Sequence, residues 1–78
     1  MEFTYEQLKK FLELRLEDIE GWKKDKKLQK QFYFEACGAV EFVCRMADEK
    51  KDKELTHKVC TLWNCEIMPK MHKAIWGE

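Results

Sequence analysis

Apolar residues recur along this chain at steps of three and four, the spacing of one face of an α-helix. Leu8, Leu12, Leu16 and Ile19 form the first stripe, which runs on to Lys23. Tyr5 and Phe11 flank it, and Glu6, Glu13, Glu17 and Glu20 lie on other faces. Thr4 and Gln7 have the spacing of a capping box, and Phe3 and Leu8 that of a hydrophobic staple. Gly21 is read as the stop of this helix, with Trp22 packing back on the bundle.

The second periodic stretch, residues 32–47, is apolar nearly all round. Phe32, Ala36, Ala39, Val43 and Met46 make one stripe, and Tyr33, Cys37, Val40, Cys44 and Ala47 the next. Phe34, Gly38 and Phe42 make a third, leaving a narrow polar strip near Gln31, Glu35, Glu41, Arg45 and Asp48. A helix this apolar needs neighbours on more than one side. It is therefore the central helix of three, or it faces a second protomer. Asp25 is its expected N-cap and Asp52 that of the third helix. Leu55, Val59, Leu62, Trp63, Ile67, Met71, Ala74 and Ile75 continue the pattern. Pro69 interrupts it, because proline lacks an N–H and crowds the preceding turn. The pattern predicts an all-α, up-down-up three-helix bundle over residues 1–78, a single helical domain. A kink or a short fourth helix is expected at Pro69.

Composition narrows the rest. Three Gly, one Pro and no Ser are too few turn formers for a chain of many strands. Seventy-eight residues bury a marginal core, so good helix packing or a partner chain is expected to help. The N-terminus lacks a basic segment followed by an apolar one, so no secretory signal is expected. No apolar run approaches the roughly 18 residues that cross a bilayer. The expected compartment is the cytoplasm, where four Cys stay reduced.

Fifteen acidic and fifteen basic residues cancel, so nothing pulls the whole chain toward nucleic acid or anionic lipid. The balance is local. Residues 21–30 hold five Lys and one Asp, a net +4, at the first turn. In an up-down-up bundle that turn shares a pole with the end of the third helix. Trp22, Lys23, Lys24, Lys26, Lys27, Lys70 and Lys73, with Lys30, His72 and Trp76 nearby, form a candidate basic pole. Lysines with exposed aromatics suit a nucleic-acid backbone and unstacked bases. Only Arg15 and Arg45 are Arg, the usual reader of base edges. The blander reading is a solvated lysine-rich turn, with Trp22 and Trp76 sealing the core.

Four Cys and two His invite a metal test. If helices two and three form an antiparallel hairpin turning near residue 51, Cys37 faces Cys65. Cys44 then lies level with His57 and Cys60. The two levels are about 10.5 Å apart, too far for one zinc to gather all four thiolates. A smaller site from Cys44, His57 and Cys60 is the one metal alternative, and no cofactor or metal is expected. The favoured reading makes the four Cys small core residues. Glu54 and His57 match the Glu-x-x-His of di-iron bundles but lack the second motif. With no Ser, and no third group to orient a Cys60–His57 pair, no catalytic residues are assigned and the chain is read as non-enzymatic.

Association remains. The apolar perimeter of helix two, with Phe32, Phe34, Phe42, Trp63 and Trp76, is expected to exceed what two short neighbours cover, and aromatics suit interface cores. Phe34, Phe42, Trp63 and Trp76 are the candidate interface residues. The blander reading is a monomer whose large aromatics fill a small core. The expected role is a small protein-interaction or regulatory module, self-associating as a homodimer or bound to another protein. Weak nucleic-acid binding through the lysine pole is the alternative.

Overall fold

The structure, a computed structural model, describes residues 5–77. Helix α1 spans Tyr5–Gly21, α2 Lys26–Glu49, α3 Lys53–Thr61 and α4 Met68–Trp76. Between α3 and α4 lies one widened π-helical stretch, Leu62–Ile67. No strand occurs among the described residues. The third arm of the bundle is thus one bent helix rather than two separate ones. The proposed capping box and staple rest on Phe3 and Thr4, which lie outside the described residues.

Asp25 and Asp52 start α2 and α3 as expected, each carboxylate accepting from the backbone N–H three residues on. Gly21 is the last residue of α1 but has no left-handed backbone; among the described residues only Gly77 does so among glycines. The chain instead leaves α1 through hydrogen bonds from Trp22 N–H to Asp18 O and from Asp25 N–H to Trp22 O.

The end of α2 is a Schellman turn built on a lysine. Asp52 N–H donates to Ala47 O and Lys51 N–H to Asp48 O. This puts Lys51 at φ 56°, a region that suits glycine. Replacing Lys51 by Gly is expected to stabilise the fold by about 0.5–1 kcal/mol, read as a higher urea midpoint. An unchanged or lower midpoint contradicts it.

Pro69 explains the π turn. A proline at this position would drive its ring into the carbonyl of Cys65 and leaves that carbonyl without its usual donor. The backbone widens by one residue, and Met68 N–H bonds Trp63 O, five residues back. The helix therefore bends without breaking, and Pro69 sits in the first turn of α4, where its missing N–H is harmless.

The core is Leu8, Leu12 and Ile19 from α1, Ala36, Val40 and Val43 from α2, and Val59, Leu62, Ile67, Met71 and Ile75 from the third arm. Arg15 ties α1 to α2 at its edge. Its guanidinium contacts Glu35 at 3.1 Å and Asp18 at 3.0 Å, and lies over the rings of Phe11 and Phe32. The Cα atoms of the bundle span 41 × 25 × 16 Å. α1 and the third arm cover one side of α2, and its outer face is left open.

Candidate functional site

The buried line of α2 runs Gln29, Ala36, Val40, Val43, Ala47. At 100° per residue, Gly38 points directly away from it. Phe34 and Phe42 stand about 40° to either side of Gly38 and about 6 Å above and below it. Their exposures, 65% and 60%, are the highest of the large apolar residues described. Gly38 is exposed too, and a Cβ placed there would meet nothing within 4 Å. The open face of α2 is therefore two phenylalanines straddling a bare backbone.

The charges at the two ends of this face are ordered, while Glu35, beside Phe34, is held by Arg15 of α1. Lys27 and Lys30 lie toward the start of α2, and Asp48 and Glu49 at its end, all exposed. Glu41 and Arg45, on either side of Phe42 in the chain, pair with each other at 3.0 Å. This order opposes the helix dipole, which favours acids at the start and bases at the end; beyond the Asp25 cap, α2 has neither in its first or last turn.

The other two aromatics expected at an interface sit elsewhere. Trp63 is half-buried and stacks on Tyr33, with ring centroids 5.9 Å apart. Trp76 meets the same Tyr33 edge-on at 5.6 Å, and the Tyr33 hydroxyl bonds His72 Nε2 at 3.0 Å. This cluster closes the seam between α2 and α4. It meets the open face where Tyr33 contacts its neighbour Phe34.

The basic pole is assembled in part. Lys26 Nζ donates to the Ile75 carbonyl, joining the first turn to the end of α4. Lys23, Lys70 and Lys73 line one hollow together with Glu20 and Ala74. Lys24 is exposed outside it, and Lys27 lines a hollow beside Phe34 instead. Trp22 is 54% exposed and Trp76 43%, so the two tryptophans do not seal the core. Ile19 and Ile75, fully buried, fill that end of it.

None of the four Cys is fully buried: Cys44 is half-buried and packs against the core, Cys37 is half-buried on the flank of α2, and Cys60 and Cys65 are exposed. Cys37 and Cys44 each follow a buried residue, Ala36 and Val43, and the 100° step carries them to the flank of α2. The hairpin register is close to that expected. Thr56 Oγ1 reaches Asp48, and one turn further Cys60 lies near enough to Cys44 to influence its thiol. His57 does not complete a site with them. Among the described residues no three His, Cys, Asp or Glu are grouped so as to hold a metal ion.

Burial raises the Cys37 and Cys44 thiols above their ordinary 9.0 and the Tyr33 phenol above 10.0; neighbouring Cys60 adds to the rise of Cys44, and Cys37 to that of Tyr33. The unfolded chain therefore releases these protons first. Their stabilising effect is complete below pH 9 and is lost as pH climbs through the raised folded values. The urea midpoint of reduced protein is expected to fall above pH 9, and Tyr33→Phe to blunt the fall above pH 10. A midpoint that rises there contradicts the assignment.

Comparison with known proteins finds no matching family model, no matching curated protein and no matching solved structure. No helix among the described residues is long and apolar enough to cross a membrane.

Proposed function

We propose that this chain is a non-enzymatic protein-interaction module whose docking surface is the open face of α2. The observation that carries it is the exposure of Phe34 and Phe42 on one face of a helix whose opposite side forms the core. Two large aromatics held in water on rigid backbone mark a binding surface. The occupant that fits is a second helix with its own apolar stripe, bearing acids opposite Lys27 and Lys30. Four free thiols suit a reducing compartment, and the cytoplasm is the proposed location.

The test uses a control within the same molecule. Phe34→Ala with Phe42→Ala removes the stripe, while Leu14→Ala removes an apolar residue that is 47% exposed on α1. All three changes are expected to leave stability within about 0.5 kcal/mol. Binding, to a copy of this chain or to a protein identified by mass, is lost in the double variant and kept in Leu14→Ala. Binding that ignores the phenylalanines contradicts the reading.

Nucleic-acid binding is the second reading, favoured by the hollow of Lys23, Lys70 and Lys73 beside two exposed tryptophans. Glu20 in that hollow and the engagement of Lys26 with Ile75 count against it. A salt-dependent shift on generic RNA or DNA, abolished by changing Lys23, Lys70 and Lys73 to Glu, would raise it above the first. No shift at low salt ends it.

A further inference from the structure

We infer that the occupant of this face is a second copy of the same chain, its α2 packed antiparallel across Gly38. The inference rests on the docking reading above. Three features of the face each cost the lone subunit stability.

Gly38 lies mid-helix, where glycine destabilises relative to alanine, and its backbone neither turns nor has a left-handed φ. Nothing within the subunit approaches it closely enough to need the missing Cβ. Phe34 and Phe42 stand in water. Lys27 and Glu49 sit at the wrong ends of the helix dipole, and neither has a hydrogen-bond or ion-pair partner among the described residues. Local rules broken together on one face point to a use for that face.

One arrangement relieves all three. When two copies of α2 run antiparallel about Gly38, residue 38−k of one lies level with 38+k of the other. Phe34 then lies beside Phe42 of the second copy, and both pairs cover the two glycines. The absent side chain at the crossing lets the helix axes approach within the usual 8–10 Å. Lys27 comes level with Glu49 of the second copy, eleven residues from the centre in each direction, and Lys30 approaches Asp48. A parallel pairing would instead set Lys27 against Lys27 and Glu49 against Glu49.

The charges give an orientation test by sedimentation equilibrium at low salt on the reduced full chain. Lys27→Glu and Glu49→Lys are each expected to weaken the dimer about tenfold. The two changes combined in one chain restore the pairs with signs exchanged, and the affinity returns to within about threefold of wild type. Both positions are exposed, and each change improves the match to the helix dipole, so thermal melting of dilute monomer rises slightly in both. A weaker dimer therefore cannot be put down to misfolding. Gly38→Ala should behave likewise, with a higher melting temperature when dilute and a dimer weakened roughly tenfold by the methyl at the crossing. A double variant no tighter than the single ones overturns the antiparallel pairing. Wild type that stays monomeric at millimolar concentration overturns the second copy as occupant. In that case the docking reading still stands or falls separately, on whether another protein is lost with Phe34 and Phe42.

Discussion

Leu12→Ala is expected to cost about 2–5 kcal/mol and to leave much of the protein unfolded at 37 °C. Leu12 is fully buried, in the cluster where α1 meets both α2 and the third arm. Truncation removes three carbons' worth of buried apolar surface and leaves a cavity that rigid helices close only in part. A chain of 78 residues has a total stability of about 4–12 kcal/mol at the usual value per residue, so the loss is a large share of the whole. Leu14, two residues on, is 47% exposed, and its truncation should fall within about 0.5 kcal/mol. Urea denaturation of the two variants checks the phase of α1 directly. Equal losses would mean that α1 is rotated from the orientation described.

Gln29→Ala is expected to cost about 1–3 kcal/mol. Gln29 has no exposed surface, and its Nε2 donates to the Ile19 carbonyl at 2.6 Å. That carbonyl is among the last four of α1, which find no partner within their own helix. The glutamine of α2 therefore caps the end of α1 from inside the core. Its own Oε1 has no hydrogen-bond partner among the described residues, a penalty that goes with the arrangement. Gln29→Met separates the two effects, because it keeps most of the volume while removing both the donor and the unsatisfied oxygen. It should cost less than Gln29→Ala. A methionine variant as unstable as the alanine one would show that the bond to Ile19, rather than packing, is what matters.

The parts of this fold that sequence reveals are those set by local chemistry. Asp25 and Asp52 cap their helices because each precedes a free backbone donor by three residues. Pro69 bends the third arm because its ring cannot tolerate a regular preceding turn. The rotational phase of α2 is legible in part. Its polar strip of Gln31, Glu35, Glu41, Arg45 and Asp48 falls on the same side as Phe34, Gly38 and Phe42, which already sets that stripe toward water. How far the flanking stripes are covered falls to where α1 and the bent third arm sit, and they cover the side of Ala36, Val40 and Val43. This turns Phe34, Gly38 and Phe42 outward and moves Cys37 and Cys44 from the expected core to the flanks.

Polar residues with interior roles were hidden for the same reason. Gln29 falls before the apolar run, and its depth shows only once α1 is docked. Arg15 looks like one more charge on an amphipathic helix, yet it bridges to Glu35 across the α1–α2 seam. Trp22 is bulky enough to suggest burial, but the first turn is closed by its backbone and by Lys26 rather than by its ring. Of the candidate interface residues, Phe34 and Phe42 were legible as a third stripe. Trp63 and Trp76 were not separable from them, because contact with Tyr33 depends on the helix-two to helix-three register.

The most direct measurement is sedimentation equilibrium of the reduced protein from about 10 μM to 1 mM, with Phe34→Ala/Phe42→Ala beside it. The subunit mass is 9.5 kDa. Wild type is expected to move reversibly toward twice that mass as concentration rises, while the double variant remains at one subunit. A wild type that holds the single-subunit mass throughout, or a double variant that dimerises as well as wild type, would contradict self-association through the open face of α2.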